Sequence, residues 1–357
     1  MALRDFGQIP YLPLLSLRPA EMRALEELPN RTKDALLPLI HLRAWGASHR
    51  LDNSIARIAD AYGGRPVGVG IGYPEDTGTR RPVHNELDEL RSHRGGFRNW
   101  CQFMESQPRF IPAIQFGPPS DESAQLECLY GLGRGIFVVV ELPGFGGVGP
   151  VAARVGAATN GGQDVCFVLD YLRASSDHLL RGAISTQLVN TILAAAPNAR
   201  VAISASSFPE NFVNVPEQPI YERRLFDLVR QQLNEPRLVY SDRGSARAER
   251  QQAGGGTPSP RIDYPLRQDW KFYRSDDLVG FAGYRQQAQR LMRQPGVWNP
   301  SLRVWGTQMI ERTSAGDTSA ISNPARATAA RINLHLQVQT YYADPASAEE
   351  TDEDWED

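Results

Sequence analysis

Ile136-Phe137-Val138-Val139-Val140 is a run of five apolar residues, four of them β-branched, between Gly135 and Glu141. A strand with one wet face alternates polar and apolar residues, so an unbroken apolar run means burial on both faces, as in a parallel sheet covered by helices. Val165-Cys-Phe-Val-Leu169 reads the same way. Working outward, comparable runs occupy residues 11–17, 36–42, 66–73, 110–116, 135–142, 164–172, 200–207 and 237–241. Segments with helical spacing lie between them. Met22, Leu25 and Leu28 share one side after Pro19; Ile55, Ile58 and Ala59 repeat the theme; so do Leu179, Leu180, Ile184, Leu188, Ile192 and Leu193, then Leu225, Phe226, Leu228 and Val229. Strands that start about 25 to 45 residues apart, with helices between, have the spacing of right-handed βαβ units. Eight units predict an α/β chain folded as a closed (β/α)8 TIM-type barrel rather than an open doubly wound sheet.

The character changes after Ser245. Residues 247–260 are rich in Arg, Gln, Gly, Ser and Pro and predict a mobile loop. Ile262-Asp-Tyr-Pro265 and Trp270-Lys-Phe-Tyr-Arg274 suggest a hairpin, residues 283–292 a helix, Leu302-Arg-Val-Trp305 a strand, and residues 331–338 a strand or a helix. From Ala343 the chain is acidic and poor in apolar residues, which predicts disorder. The expected organisation is a barrel over 1–245, a C-terminal extension packed on it over 246–342, and an acidic disordered tail over 343–357.

The composition narrows the function classes. A formal net charge of −3 gives no global basic field for nucleic acid. No apolar run approaches the ~20 residues of a membrane span, and no signal peptide is recognisable, so a cytoplasmic protein is expected. Cys101, Cys128 and Cys166 are too few and too unevenly spaced for a disulfide framework or a zinc knuckle, and Cys166 reads as core. No G-x-G-x-x-G follows the first strand and no G-x-S-x-G elbow occurs, so neither a dinucleotide site nor a nucleophilic serine is indicated.

In such a barrel the groups that act on a ligand stand where the strands end. The runs here end on Ser16 and Arg18, His41 and Arg43, Tyr73 and Glu75, Gln115, Glu141, Asp170 and Arg173, Ser204 with Ser206 and Ser207, and Asp242 with Arg243. Glu141, Asp170 and Asp242 are the candidate acid/base groups or oxygen ligands for Mg²⁺, with His41 as a further base or ligand. The alternative for Glu141 and Asp170 is that each carboxylate pairs with Arg43, Arg173 or Arg243, or caps a helix. The stretch Arg200-Val-Ala-Ile-Ser-Ala-Ser-Ser-Phe-Pro-Glu-Asn-Phe212 ends the seventh run on hydroxyls beside the eighth run's Asp242-Arg243-Gly244. Loops after strands seven and eight commonly form the phosphate site of these barrels. Ser204, Ser206, Ser207, Arg243, Arg43 and Arg173 are therefore the candidate anion-binding residues. The serines equally fit as caps of a following helix with Pro209 in its first turn. His335, between Leu334 and Leu336, reads as structural.

The sequence also resembles the Beta protein family of bacteria and phages. Tyr11-Leu-Pro-Leu-Leu15 and Leu37-Pro-Leu-Ile40 match it near the start, Ser206-Ser-Phe-Pro209 and Tyr240-Ser-Asp242 later. Trp270, Arg274, Gly283-Tyr284, Gly306, Ile310 and Ile332-Asn-Leu-His335 match towards the end. The resemblance implies a (β/α)8 barrel with a C-terminal extension and a role in phage biology, mobile elements or antiviral defence. Ser16 replaces the family's usual Lys, His41 an acid, and Arg243 an aromatic. The expected function is binding of a phosphate-containing small molecule or nucleotide at the mouth, with phosphoester hydrolysis or transfer as the reaction class. The alternative is a catalytically silent protein that binds a protein or nucleic-acid partner, the latter through Trp270, Lys271, Phe272, Tyr273, Arg274, Trp298, Arg303 and Trp305.

Overall fold

The computed structural model describes residues 2–75, 79–246, 258–274 and 277–351. The strands are β1 Tyr11–Ser16, β2 Leu39–Leu42, β3 Val67–Ile71, β4 Phe110–Pro112, β5 Ile136–Glu141, β6 Val165–Arg173, β7 Arg200–Ser206, β8 Glu217–Pro219, β9 Leu238–Asp242, β10 Arg261–Pro265 and β11 Asp269–Arg274. The helices are α1 Pro19–Glu26, α2 Asn30–Ala35, α3 Asp52–Tyr62, α4 Pro82–Arg91, α5 Arg94–Ser106, α6 Pro119–Gly131, α7 Val148–Ala158, α8 Gly182–Ala195, α9 Tyr221–Leu233, α10 Gly280–Met292, α11 Trp305–Ala315 and α12 Pro324–Thr340.

Eight parallel strands pair in the order β4-β3-β2-β1-β9-β7-β6-β5. The two ends meet through a parallel bridge between Ala113 and Phe137, where Ile114 N–H donates to Phe137 O at 2.9 Å. The result is a nearly closed barrel. Each of the eight apolar runs read from the sequence overlaps one of its strands, with β6 and β9 reaching one residue further. Alternate residues divide between two buried environments, which is why the runs are apolar throughout. Leu12, Leu14, Leu39, Ile111, Phe137, Cys166, Val168, Ala202 and Val239 fill the inside, and Tyr11, Leu15, Ile40, Val138, Phe167, Ile203 and Tyr240 face the helices. Large side chains inside sit against small ones. A Cβ on Gly68 would lie 2.5 Å from the Phe137 ring and 3.1 Å from Leu39 Cδ1, so the glycine in β3 makes room for that ring.

Among the described residues no helix directly follows β9, and α12 occupies that place in the outer ring. It lies over β1 and β9 between α1 and α9: Asn333 Nδ2 donates to Ala24 O at 3.1 Å, and Arg223 Nε to Gln339 Oε1 at 2.8 Å. Ile332 and Leu336 join the barrel's own core. The other side of α12 meets an antiparallel sheet, β10-β11-β8, and helices α10 and α11. Residues 329–337 are consequently buried on every side of the helix, which erases the amphipathic period and explains why this segment reads as strand or helix.

The expected hairpin is present as β10 and β11, paired from Arg261–Arg274 to Pro265–Trp270. Residues 302–305 form no strand; Val304 caps α11, with Thr307 Oγ1 accepting the Val304 N–H at 3.0 Å. The expected loop over 247–260 lies outside the described residues except for 258–260. Of the expected disordered tail, residues 343–351 are placed in the fold. Ala348 is buried and its carbonyl accepts from Gln337 Nε2 at 2.9 Å, while Glu350 pairs with Arg31 at 2.6 Å. The tail's acidity misled because these two contacts anchor it. Residues 352–357 lie outside the described part. Among the described residues no helix is long and apolar enough to cross a membrane.

Candidate ligand site at the barrel mouth

Alternation along the strands decides which strand-end side chains enter the mouth. Asp170 follows the inward Val168 by two, Ser204 follows Ala202, and Arg243 follows Val239 and Ser241, so all three point inward, as do His41 and Glu141. Register makes Asp170 a direct neighbour of both Glu141 and Ser204. Arg243 is the hub. Its Nη2 pairs with Asp170 Oδ2, its Nε lies 3.4 Å from Asp170 Oδ1, and its Nη2 stands 3.8 Å from Glu141 Oε1. Tyr73, from the loop after β3, donates its hydroxyl to Glu141 Oε2. Burial lowers the Arg243 pKa, but the two carboxylates outweigh it and hold the guanidinium firmly charged.

His41 lies on β2, two strands round the barrel from β9, which Arg243 follows. Its ring fits because β3 has a glycine beside it: a Cβ on Gly70 would lie 3.0 Å from His41 Cδ2. Burial, then the positive charges of Arg243 and Arg43, push its pKa down to about 3, so the imidazole is neutral at physiological pH. Arg43 pairs with Glu75 at 2.9 Å, leaving its buried Nε without a partner among the described residues. Ser204 Oγ is likewise buried and unpaired. Buried polar atoms are rarely left so, and such orphans mark places where a water or a ligand belongs.

The mouth also contains backbone strain. Leu172 has φ +65°, a left-handed conformation that costs a leucine about 1–2 kcal/mol. In that conformation its N–H donates to Asp170 Oδ1 at 3.0 Å, fixing the carboxylate that holds Arg243. The register of β6 on β7 shifts at this point, between Asp170 and Arg173.

Three sequence expectations change. Asp242 does not enter the mouth. It has the parity of Tyr240 and faces the helices, where Tyr11 Oη donates to Oδ1 at 2.5 Å, Gly244 N–H to Oδ1 at 2.7 Å, Tyr240 Oη to Oδ2 at 2.7 Å, and His335 Nε2 sits 2.7 Å from Oδ2. The three-carboxylate Mg²⁺ set is therefore not brought together, and among the described residues no three His, Cys, Asp or Glu side chains converge as metal ligands. Ser206 and Ser207 cap no helix. Residues 207–216 run as a loop into β8, and α9 begins only at Tyr221, because Phe208 is drawn into a cluster with Ile220, Trp270 and Phe272.

The backbone donor after β7 is already occupied. Ser207 N–H lies 3.1 and 3.2 Å from the two oxygens of Glu222, and its buried hydroxyl also faces that carboxyl. Glu222 belongs to a recurring device that the sequence did not reveal. Glu21 accepts Ser16 N–H at 2.5 Å after β1, Ser54 accepts Trp45 N–H at 3.2 Å after β2, and Gln125 accepts Gln115 N–H at 2.6 Å after β4. In each case a side chain of the following helix clasps the strand's end. Arg173 is on the rim, paired with Glu210. The mouth thus gathers His41, Arg43, Glu141, Asp170, Ser204 and Arg243, together with Tyr73 and Glu21.

Comparison with known proteins gives the family. The sequence model described as "Beta protein" matches residues 11–340. The chain belongs to the Beta protein family. A phage relative, "Protein beta" of Enterobacteria phage P4, is 25% identical over 356 residues, covering 94% of each chain. The Beta protein match starts at the first residue of β1 and ends at the last residue of α12, so it takes in all eight barrel strands and the helix that covers β1 and β9.

Proposed function

We propose that this Beta protein is a TIM-type (β/α)8 barrel whose mouth binds a phosphate-containing small molecule or nucleotide. The observation that carries the reading is the Ser204 hydroxyl, buried and unpaired between the strands that bear Asp170 and Arg243. In this reading the anion meets Arg243, Arg43 and the Ser204 hydroxyl. Neutral His41 supplies a hydrogen bond, and Glu141 and Asp170 face hydroxyl groups on the rest of the ligand. Phosphoester hydrolysis or transfer is the reaction class, with Glu141 and Asp170 as its acid/base pair. The phage relative supports a phage setting, and a mobile-element or defence role is part of the same proposal.

Thermal shift against nucleotides and phosphosugars, with and without Mg²⁺, tests the reading, because a ligand of the folded state raises stability by mass action. Wild type should be stabilised by at least one compound, and Ser204→Ala should lose most of that shift while keeping its unliganded melting temperature. No shift anywhere in the panel would sink the proposal.

A second reading has its own observation. Tyr73, Phe116, Leu180, Ile184 and Val213 are exposed large apolar side chains on or near loops that follow β3, β4, β6 and β7, so they ring the same mouth. A rim of this kind fits a protein partner. Pull-down with wild type but not with a Leu180→Asp, Ile184→Asp variant would favour it.

A further inference from the structure

Between residues 280 and 330 the chain has six arginines, no lysine and two acids, a local excess of four positive charges in a protein whose formal net charge is −3. One acid, Asp317, is engaged by Arg312 at 2.7 Å. Arg285, Arg290, Arg293, Arg303 and Arg326 are all exposed, and none has a carboxylate partner among the described residues. Three of them stand on one helix: Arg285 and Arg290 in α10 and Arg293 at its C-terminal end. Arg285, Gln286, Gln289, Arg290 and Arg293 lie on the outer face of α10, opposite the buried Tyr284, Gln287, Ala288 and Leu291. Arg285 and Gln289 both donate to Ser314 O at the end of α11, and Arg326 donates to Ala320 O at 2.9 Å in the adjoining turn. These bonds go to neutral carbonyls, so they orient the guanidinium groups without cancelling their charge.

We infer that this face binds the sugar–phosphate backbone of duplex DNA, independently of the mouth. Arg285 to Arg293 spans about 12 Å of helix at 1.5 Å per residue, which covers three to four phosphates at about 3.4 Å per step. Arginine forks match phosphate oxygens. The outer face of α10 offers Arg and Gln but no aromatic ring, while Trp298 packs on Tyr264 and Trp305 lies under Arg23. Single strands are held by stacking on free rings, so the arrangement suits a duplex.

Fluorescence anisotropy of the full chain with a labelled 20-base-pair DNA, titrated between 50 and 200 mM salt, tests the inference. Micromolar binding that weakens steeply with salt is expected. Arg290→Ala with Arg293→Ala should weaken it roughly tenfold at low salt and flatten the log–log salt slope by about 1.8, at about 0.9 per phosphate contact. Both side chains are exposed, and an unchanged thermal melt will show that the variant folds. Arms with single-stranded DNA, duplex RNA and polyglutamate identify the source of the anion. Absence of DNA binding at 50 mM salt, binding undiminished in the double variant, or a preference for polyglutamate over DNA would each overturn the inference.

Discussion

His335 Nε2 lies 2.7 Å from Asp242 Oδ2, and both side chains are fully shielded from solvent. With Tyr11, Tyr240 and the Gly244 N–H, the carboxylate receives four donors, about as many as it can accept. Burial alone would raise the Asp242 pKa; the charge and hydrogen bond of His335 and the two tyrosine hydroxyls outweigh it and leave the pKa below the usual value. The bond joins the last strand of the barrel to its last helix.

Removing one partner of a buried pair strands the other. Asp242→Ala is expected to cost about 3–5 kcal/mol in urea unfolding, and His335→Ala a comparable amount. Ligand binding by the fraction still folded should be unchanged. A wild-type unfolding midpoint in Asp242→Ala would show that the pair does not hold α12.

Acidity acts on two buried acids in opposite senses. Asp242 has a depressed folded pKa, so its contribution is present above about pH 4 and is lost as the pH falls through that folded value. Glu222 is raised from 4.5 to about 7, by burial and then by the charge of Asp242, so its favourable contribution exists below about 4.5 and is lost as pH rises towards 7. Glu222→Gln should therefore gain about 3 kcal/mol at pH 8, at 1.36 kcal/mol per pKa unit, and none at pH 4. Urea melts at the two pH values measure the difference.

Gly68 and Gly70 support neighbouring rings with different consequences. Gly68→Ala forces a methyl group onto Phe137 and should cost about 1–3 kcal/mol, as overpacking does. Gly70→Ala crowds His41 at the rim of the core, so it should cost less stability but diminish ligand-induced stabilisation. Thermal melts with and without ligand separate the two effects.

Leu172→Gly removes the left-handed strain while keeping the N–H that fixes Asp170. Its stability should stay level or rise by up to about 1 kcal/mol, with ligand binding retained, as measured by calorimetry. A large loss would mean that the leucine side chain, not the backbone, holds the mouth.

The strands were legible because burial on both faces leaves unbroken apolar runs, and all eight runs locate barrel strands. The polar strand ends were legible as a group, but their direction was not. Asp242 and Arg243 are adjacent, yet one serves the helix layer and the other the mouth, because residue-by-residue alternation separates them. Ser206 and Ser207 resemble a helix cap because local chemistry supports one; Phe208 is drawn into the Trp270 cluster, a contact made by residues some 60 positions away. The carboxylates and amides that clasp the strand ends, Glu21, Gln125 and Glu222, sit in helices that look amphipathic and otherwise ordinary. Only the turn of each helix against its strand reveals them.

The late arrival of α12 has a consequence for how the chain is made. Thr32 Oγ1 donates to Gln337 Oε1 at 2.7 Å, a contact across 305 positions. During synthesis from the N-terminus, β1 emerges first but waits for β9 to pair on one edge and for α12 to cover its outer face. Until α12 arrives, the core side chains of β1 and β9 lack the cover that Ile332 and Leu336 give them. A barrel whose outer layer is completed by the last helix is whole only in the finished chain, so a message truncated before codon 324 is expected to yield a target for proteolysis rather than a smaller working protein.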